Sequence, residues 1–166
     1  MRIPSLVPAF VCLLAAALLV PATAHAADRV QGVMVVNGTT IRLTNVYVTL
    51  DHEADDDEET YQTILLSDRP VALADRHDPA RLKTLADAKQ LRAVRIVMHV
   101  GYDGVLAAPY DASLAESGQA VQEHPTINVT ALDEKRLEAR IHSKMLGQVW
   151  HYDATISAAI AKGKIA

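Results

Sequence analysis

The sequence predicts a mainly β protein: an antiparallel β-sandwich of about eight or nine strands with one short helix, or alternatively a small antiparallel β-barrel. Apolar and polar residues alternate in short runs, which is typical of strands with one buried face. Turn-forming residues separate these runs at roughly 8–12-residue intervals. The unbroken apolar runs of a parallel α/β sheet do not occur, so that class is excluded.

The composition narrows the class of protein further. The chain has 166 residues, of which half are apolar, one cysteine and a formal charge of −4. This composition excludes a disordered chain and a disulfide-stapled miniprotein. Nucleic acid is not expected as a partner, because the net charge is negative and no cluster of Lys and Arg could neutralise phosphates.

The first 26 residues are predicted to be a cleaved signal peptide. Arg2 supplies the positive charge, and residues 6–20 form the apolar core. Ala24 and Ala26 match the small residues that signal peptidase requires at its cleavage site. We therefore expect an exported protein, periplasmic or secreted, whose mature chain (27–166) is a single antiparallel β domain without a transmembrane segment. Cys12 lies in the leader, so packing alone must hold the mature fold.

The clearest local signal is a β-hairpin over residues 32–44. Its turn is Asn37-Gly38, the dipeptide that best accommodates the two positive φ angles of a type I′ turn. A two-residue loop places Met34 opposite Ile41. Further strands are predicted over 46–50, 61–66, 91–100, 105–108, 126–132, 137–142 and 150–158.

The last strand and the helix have distinct signatures. Trp150 and Tyr152 share the phase of Ile156, which predicts a place in the core rather than a stacking platform for sugars. Asp78-Pro79 predicts the start of a helix, because Asp can cap the first turn and Pro is preorganised for it. We expect this helix to end near Gln90 and to bury Leu82, Leu85 and Ala86, with the stem of Lys89 beside them.

Residues 51–59 hold seven carboxylates in nine positions. Such a segment could supply oxygen ligands to a hard cation such as Ca²⁺, with Asp51, Glu53, Asp55 and Asp57 as candidates. The spacing matches no known calcium motif, however, and it lacks the glycine of an EF-hand loop. Charge runs are usually solvated, so the preferred interpretation is an exposed connection that keeps the sheet edge from pairing. Docking of a basic partner is a further alternative.

Three histidines form a second candidate metal site. His99, His142 and His151 all take the polar phase of their strands, so they could converge on a metal if those strands are neighbours. No H-E-x-x-H motif or helical His pair occurs. Apart from this possible divalent cation, no cofactor is expected.

Catalytic motifs are missing from the sequence. Neither a G-x-S-x-G elbow nor an S-x-x-K pair occurs, so we predict no catalytic residue and no enzyme. A hydrolase with a dispersed active site is an alternative, because triads are defined by geometry rather than by sequence position.

Three stretches of the sequence together resemble a group of uncharacterised exported bacterial β-sandwich proteins. They are residues 33–43, residues 65–71, and residues 137–145 with 150–158. The resemblance implies a small immunoglobulin-like sandwich in the cell envelope, and it carries over no functional residues. The predicted function is therefore a non-enzymatic periplasmic or secreted module that binds a protein or a cell-envelope component. A metal-binding envelope protein is the first alternative, and the hydrolase is the second.

Overall fold

The strands of the protein form one curled, mixed β-sheet in the computed structural model, which describes residues 27–52, 60–99, 105–133, 135–143 and 149–162. A 3₁₀ turn (Leu73–Asp75) and one helix, α1 (Pro79–Asp87), are also present in these ranges. The strands are β1 (Arg29–Val36), β2 (Thr39–Leu43), β3 (Asn45–His52), β4 (Thr60–Ser67), β5 (Ala93–His99), β6 (Val105–Tyr110), β7 (Val121–Glu123), β8 (Thr126–Leu132), β9 (Arg136–His142) and β10 (Trp150–Lys162).

The sheet consists of two antiparallel halves. The first half has the order β2-β1-β10-β9-β8, and the second half has the order β3-β4-β5-β6-β7. The predicted mainly β fold with one short helix is confirmed. Within the described ranges, β7 is the strand that the alternation did not indicate, because three residues are too few to show a period.

The halves are joined by a parallel pairing, which is the one departure from the expected antiparallel pattern among the described strands. The last three residues of β10 run parallel to β3, with Ile160 beside Val48. This pairing arises because β10 is 13 residues long, whereas its pairing with β1 stops at Ser157. The remaining residues of β10 extend past β1 and reach the second half.

The hairpin between β1 and β2 forms as predicted. Asn37 and Gly38 have φ angles of 48° and 76°, as a type I′ turn requires. Met34 lies opposite Ile41, which confirms the predicted register.

Both halves contribute side chains to one buried cluster. Trp150 and Tyr152 lie within it, their rings stacked with centroids 6.1 Å apart, so their predicted place in the core is confirmed. The other buried members come from β1 to β6, β9 and β10: Met34, Val36, Ile41, Leu43, Val46, Val48, Ile64, Leu66, Val94, Ile96, Val105, Ala107, Leu137, Ala139, Ile141, Ala154, Ile156 and Ala158.

Helix α1 covers part of the outer face of the second half. The Asp78 carboxylate accepts hydrogen bonds from the amides of Ala80 and Arg81, which confirms the predicted N-cap. Leu82 and Ala86 are buried on the inner side of the helix, in the same cluster as Tyr110 of β6. Burial raises the pKa of the Tyr110 hydroxyl.

The helix ends three residues earlier than the expected end near Gln90. Lys89 adopts a left-handed φ of 59° and is exposed, and its amide donates to the carbonyl of Ala86. The amide of Gln90 donates to the carbonyl of Leu85. These two bonds form a Schellman motif, which terminates the helix at Asp87.

Several predictions concern residues outside the described ranges. They include the leader (1–26) and the acidic positions 53–59. In the described part of the chain, no helix has the length and apolar character needed to cross a membrane.

Gly32 permits the close approach of β1 and β10. A Cβ atom at this position would lie 2.5 Å from both the Cα and the Cβ of Ala154, which is opposite it in the register. We predict that Gly32→Ala lowers the free energy of unfolding by about 1–3 kcal/mol, because the two strands must move apart. Urea denaturation provides the measurement.

Gln31→Ala is the matched control for Gly32→Ala, because Gln31 is exposed on the same strand. It should change the free energy of unfolding by no more than about 0.5 kcal/mol. Equal stability of Gly32→Ala and the unsubstituted protein would contradict the tight β1–β10 contact.

Candidate functional site

The outward side chains of the first half form a continuous polar surface, which we call the polar face. It arises from alternation: β10 buries Trp150, Tyr152 and Ala154, and turns the residues between them away from the core. The polar face comprises Arg29, Gln31, Val33, Val35, Thr40, Arg42, Thr126, Asn128, Arg136, Glu138, Arg140, His142, His151, Asp153, Thr155 and Ser157.

The strand register sets the spacing of these side chains. One row crosses all five strands of the first half, in the order Arg42, Val33, Asp153, His142 and Thr126. Neighbouring strands lie about 4.8 Å apart, so long side chains in one row can reach those in the next.

An ion pair lies at the centre of the polar face. Arg140 donates from Nη2 to Oδ2 of Asp153 at 2.9 Å and from Nε to Oδ1 at 3.2 Å. These hydrogen bonds hold the pKa of the Asp153 carboxyl below its usual value and raise the pKa of Arg140. His142 Nδ1 lies 3.7 Å from the same carboxylate.

A second polar network occupies one end of the face. The Ser157 hydroxyl accepts hydrogen bonds from Arg136 Nη2 at 2.7 Å and from Arg136 Nε at 3.0 Å. The same hydroxyl donates to Glu138 Oε1 at 3.0 Å. Ser157 therefore links a guanidinium to a carboxylate across β9 and β10.

Two arginines of the face have no such partner. Within the described residues, the guanidinium groups of Arg29 and Arg42 make neither a hydrogen bond nor an ion pair. Arg42 lies where two adjoining hollows of about 610 and 600 Å³ meet, and both hollows are also lined by Gln31 and Thr155.

The carboxylates around the face are already engaged. Asp153 accepts from Arg140, Glu138 accepts from Ser157, and Asp28 at the margin accepts from the amide of Ala159 at 2.7 Å. Among the described residues, the four arginines Arg29, Arg42, Arg136 and Arg140 outnumber the three carboxylates, so the surface has a formal charge of +1. Such a surface is suited to binding anions and hydrogen-bonding groups.

The structure brings together two of the three candidate histidines. His142 and His151 lie on the polar face, on the neighbouring strands β9 and β10, and both are exposed. His99 belongs to β5, three strands beyond β10 in the sheet order. Across the described ranges, no three His, Cys, Asp or Glu residues lie close enough to hold a metal ion.

The acidic candidates fall largely outside the described ranges. Glu53, Asp55 and Asp57 lie in the segment that is not described, and Asp51 is placed by its backbone at the end of β3, opposite Tyr61. A cation site in residues 51–59 therefore stays a prediction.

The sequence patterns did not single out the arginines as candidate site residues. Arg42 and Arg140 occupy the polar phase of their strands, which was the available signal. That phase indicates exposure, but it does not indicate which exposed side chains share a face.

Comparisons with protein families, curated proteins and solved structures found no match for this chain. The resemblance to exported bacterial β-sandwich proteins therefore stays a prediction.

The Arg140–Asp153 pair predicts a pH dependence of stability. The pKa of Asp153 is lowered in the folded state. The pair therefore contributes its full stabilisation when the pH is above 3.8, the ordinary pKa of Asp, and this contribution is lost as the pH falls through the folded-state pKa. Urea unfolding of Asp153→Asn and the unsubstituted protein between about pH 2 and pH 7 should show a small stability difference at neutral pH that vanishes in acid.

Arg140→Gln supplies the control through a double-mutant cycle. With Arg140 replaced, Asp153→Asn should lose most of the pH-dependent difference, because the hydrogen bonds that lower the Asp153 pKa are gone. A difference that is the same at every pH would show that the pair does not stabilise the fold.

Proposed function

We propose that the chain is an exported, non-enzymatic binding module, periplasmic or secreted, that holds an anionic polysaccharide of the cell envelope on its polar face. The observation that carries the proposal is that the guanidinium groups of Arg29 and Arg42 have no hydrogen-bond or ion-pair partner among the described residues and lie beside the two adjoining hollows. The predicted signal peptide provides the expectation of an envelope location.

Electrostatics favour an anionic ligand. Asp153, Glu138 and Asp28 are held by hydrogen bonds within the protein, so a ligand would meet the guanidinium groups of Arg29 and Arg42. Guanidinium groups bind carboxylates and phosphates through paired, charge-assisted hydrogen bonds.

The other side chains favour a sugar polymer over a protein surface. The hollows are lined by amide and hydroxyl groups, such as those of Gln31, Thr44, Thr130 and Thr155, which can hydrogen-bond to sugar hydroxyls. Protein interfaces usually depend on buried aromatic or aliphatic anchors. Of the described residues that line the hollows, none is aromatic, and the aliphatic Val30, Val33 and Ile156 are buried or partly buried rather than exposed.

The shape also favours an extended ligand. The two hollows share Gln31, Arg42 and Thr155, so they form a continuous path along the strands rather than one closed pocket. A polymer can contact Arg42 with one charged unit and place its next units in the hollows on either side. Several weak contacts of this kind add up along one chain.

We predict that the protein binds oligogalacturonate, a polysaccharide with a carboxylate on each sugar, at low ionic strength. Arg42→Gln should weaken this binding roughly tenfold, because it removes a charge-assisted hydrogen bond. Isothermal titration calorimetry gives the dissociation constants. Added salt should weaken binding to the unsubstituted protein more than to Arg42→Gln.

Two controls make the result specific. Arg69→Gln removes an exposed arginine outside the polar face, next to Asp68, and should bind as the unsubstituted protein does. Uncharged dextran should not bind. Undetectable oligogalacturonate binding at low salt would refute the proposal, and tighter binding of polyglutamate would point to an acidic protein partner instead.

A further inference from the structure

A separate cleft lies on the outer face of the second half, at the junction between the two halves. It is bordered by β3, β4, the end of β10 and the 3₁₀ turn, and it has a volume of about 220 Å³. Of the described lining residues, it shares Asp28 alone with the hollows of the polar face. The cleft is therefore a second, independent candidate site.

The position of Arg76 in this cleft is fixed by two contacts. Its Cζ atom lies 3.7 Å from the centroid of the Tyr47 ring, and its Nε donates to the carbonyl of Val71 at 2.9 Å. The Tyr47 hydroxyl in turn accepts from the amide of Val71 at 3.0 Å. Tyr47 and Val71 thus hold the guanidinium in place before any ligand arrives.

The terminal nitrogens of Arg76 are available to a ligand. Within the described residues, the Arg76 side chain makes one hydrogen bond, from Nε to the carbonyl of Val71. The two Nη groups of a guanidinium present a planar pair of donors that matches a carboxylate. A ligand in the cleft could engage them without displacing a protein group.

The described residues that line the cleft carry a net positive charge. Among them, Arg76 and Lys162 are basic, and Asp28, which accepts a hydrogen bond from the amide of Ala159, is acidic. An anionic group on the ligand is therefore favoured over a cationic one.

Much of the cleft wall is apolar. Tyr47, Val48, Leu65 and Ile160 contribute to it. Leu73 stands at its border with 68% of its surface exposed, the largest value among the exposed large hydrophobic residues of the described chain. Covering Leu73 would remove apolar surface from water, which favours a ligand with an apolar body.

We propose that this cleft binds a small apolar carboxylic acid, with the carboxylate on the Nη groups of Arg76 and the apolar body against Tyr47 and Leu73. The volume supports a small ligand, because pockets for drug-sized molecules occupy about 300–1,000 Å³. This site does not depend on the function proposed for the polar face.

The test is a titration of the full chain with 4-methylpentanoate, followed by two-dimensional NMR. The backbone amides of Tyr47, Leu73 and Arg76 should shift with ligand concentration. The neutral analogue 4-methylpentanamide should bind at least tenfold more weakly to the same unsubstituted protein. This comparison remains valid even if a substitution in the cleft disturbs the fold.

Arg76→Gln should weaken 4-methylpentanoate binding at least tenfold. Arg81→Gln is its matched control, because Arg81 is an exposed arginine of α1 that pairs with Asp75 and does not line the cleft. It should leave the affinity unchanged.

Three results would overturn the proposal. They are an absence of shifts at the cleft with the acid in millimolar excess, equal affinity for the acid and its amide, and equal loss of affinity in Arg81→Gln and Arg76→Gln. Tenfold tighter binding of the peptide N-acetyl-Ala-Ala-Leu than of the free acid would assign the cleft to a peptide C-terminus instead.

Discussion

The path of β10 is the constraint on which the other features depend. Its 13 residues pair with β1 and β9 in the first half and then with β3 in the second. The alternation of β10 also determines which of its side chains are buried, and Trp150, Tyr152 and Ile156 lie in the core. Removal of each of these large side chains from water stabilises the fold by roughly 2 kcal/mol. Residues 27–166 contain no cysteine that could supply a covalent tie, so this packing must hold the two halves together.

Both candidate sites are consequences of that path. The outward residues of β10, such as Asp153 and Thr155, lie between the arginines of β2 and β9 and so build the polar face. The end of the same strand, at Ile160 and Lys162, forms one wall of the cleft. On the polar face, Arg29 and Arg42 belong to the strands β1 and β2. In the cleft, Arg76 follows the 3₁₀ turn and is held by Tyr47 and Val71. The arginines of both sites therefore lie on an ordered backbone, and little ordering is needed on binding.

Local patterns predicted the elements well, because their signals lie within a few residues of each other. The turn at Asn37, the cap at Asp78 and the burial of Trp150 all belong to this class. Contacts between distant segments were not predictable in this way. Alternation indicates which side of a strand is buried, but it does not indicate the register of the strand or its neighbours. No sequence signal therefore predicted the Arg140–Asp153 pair, the parallel junction, or the contact of Arg76 with Tyr47.

Backbone NMR of the parallel junction tests the central claim most directly. We predict nuclear Overhauser contacts between the backbone protons of residues 160–162 and those of residues 48–50, together with slow amide exchange in this part of β10. Absence of these contacts, with amides at 160–162 exchanging as fast as those of an unstructured peptide, would contradict the account. The two halves would then not be joined through β10, and the cleft would lose one of its walls.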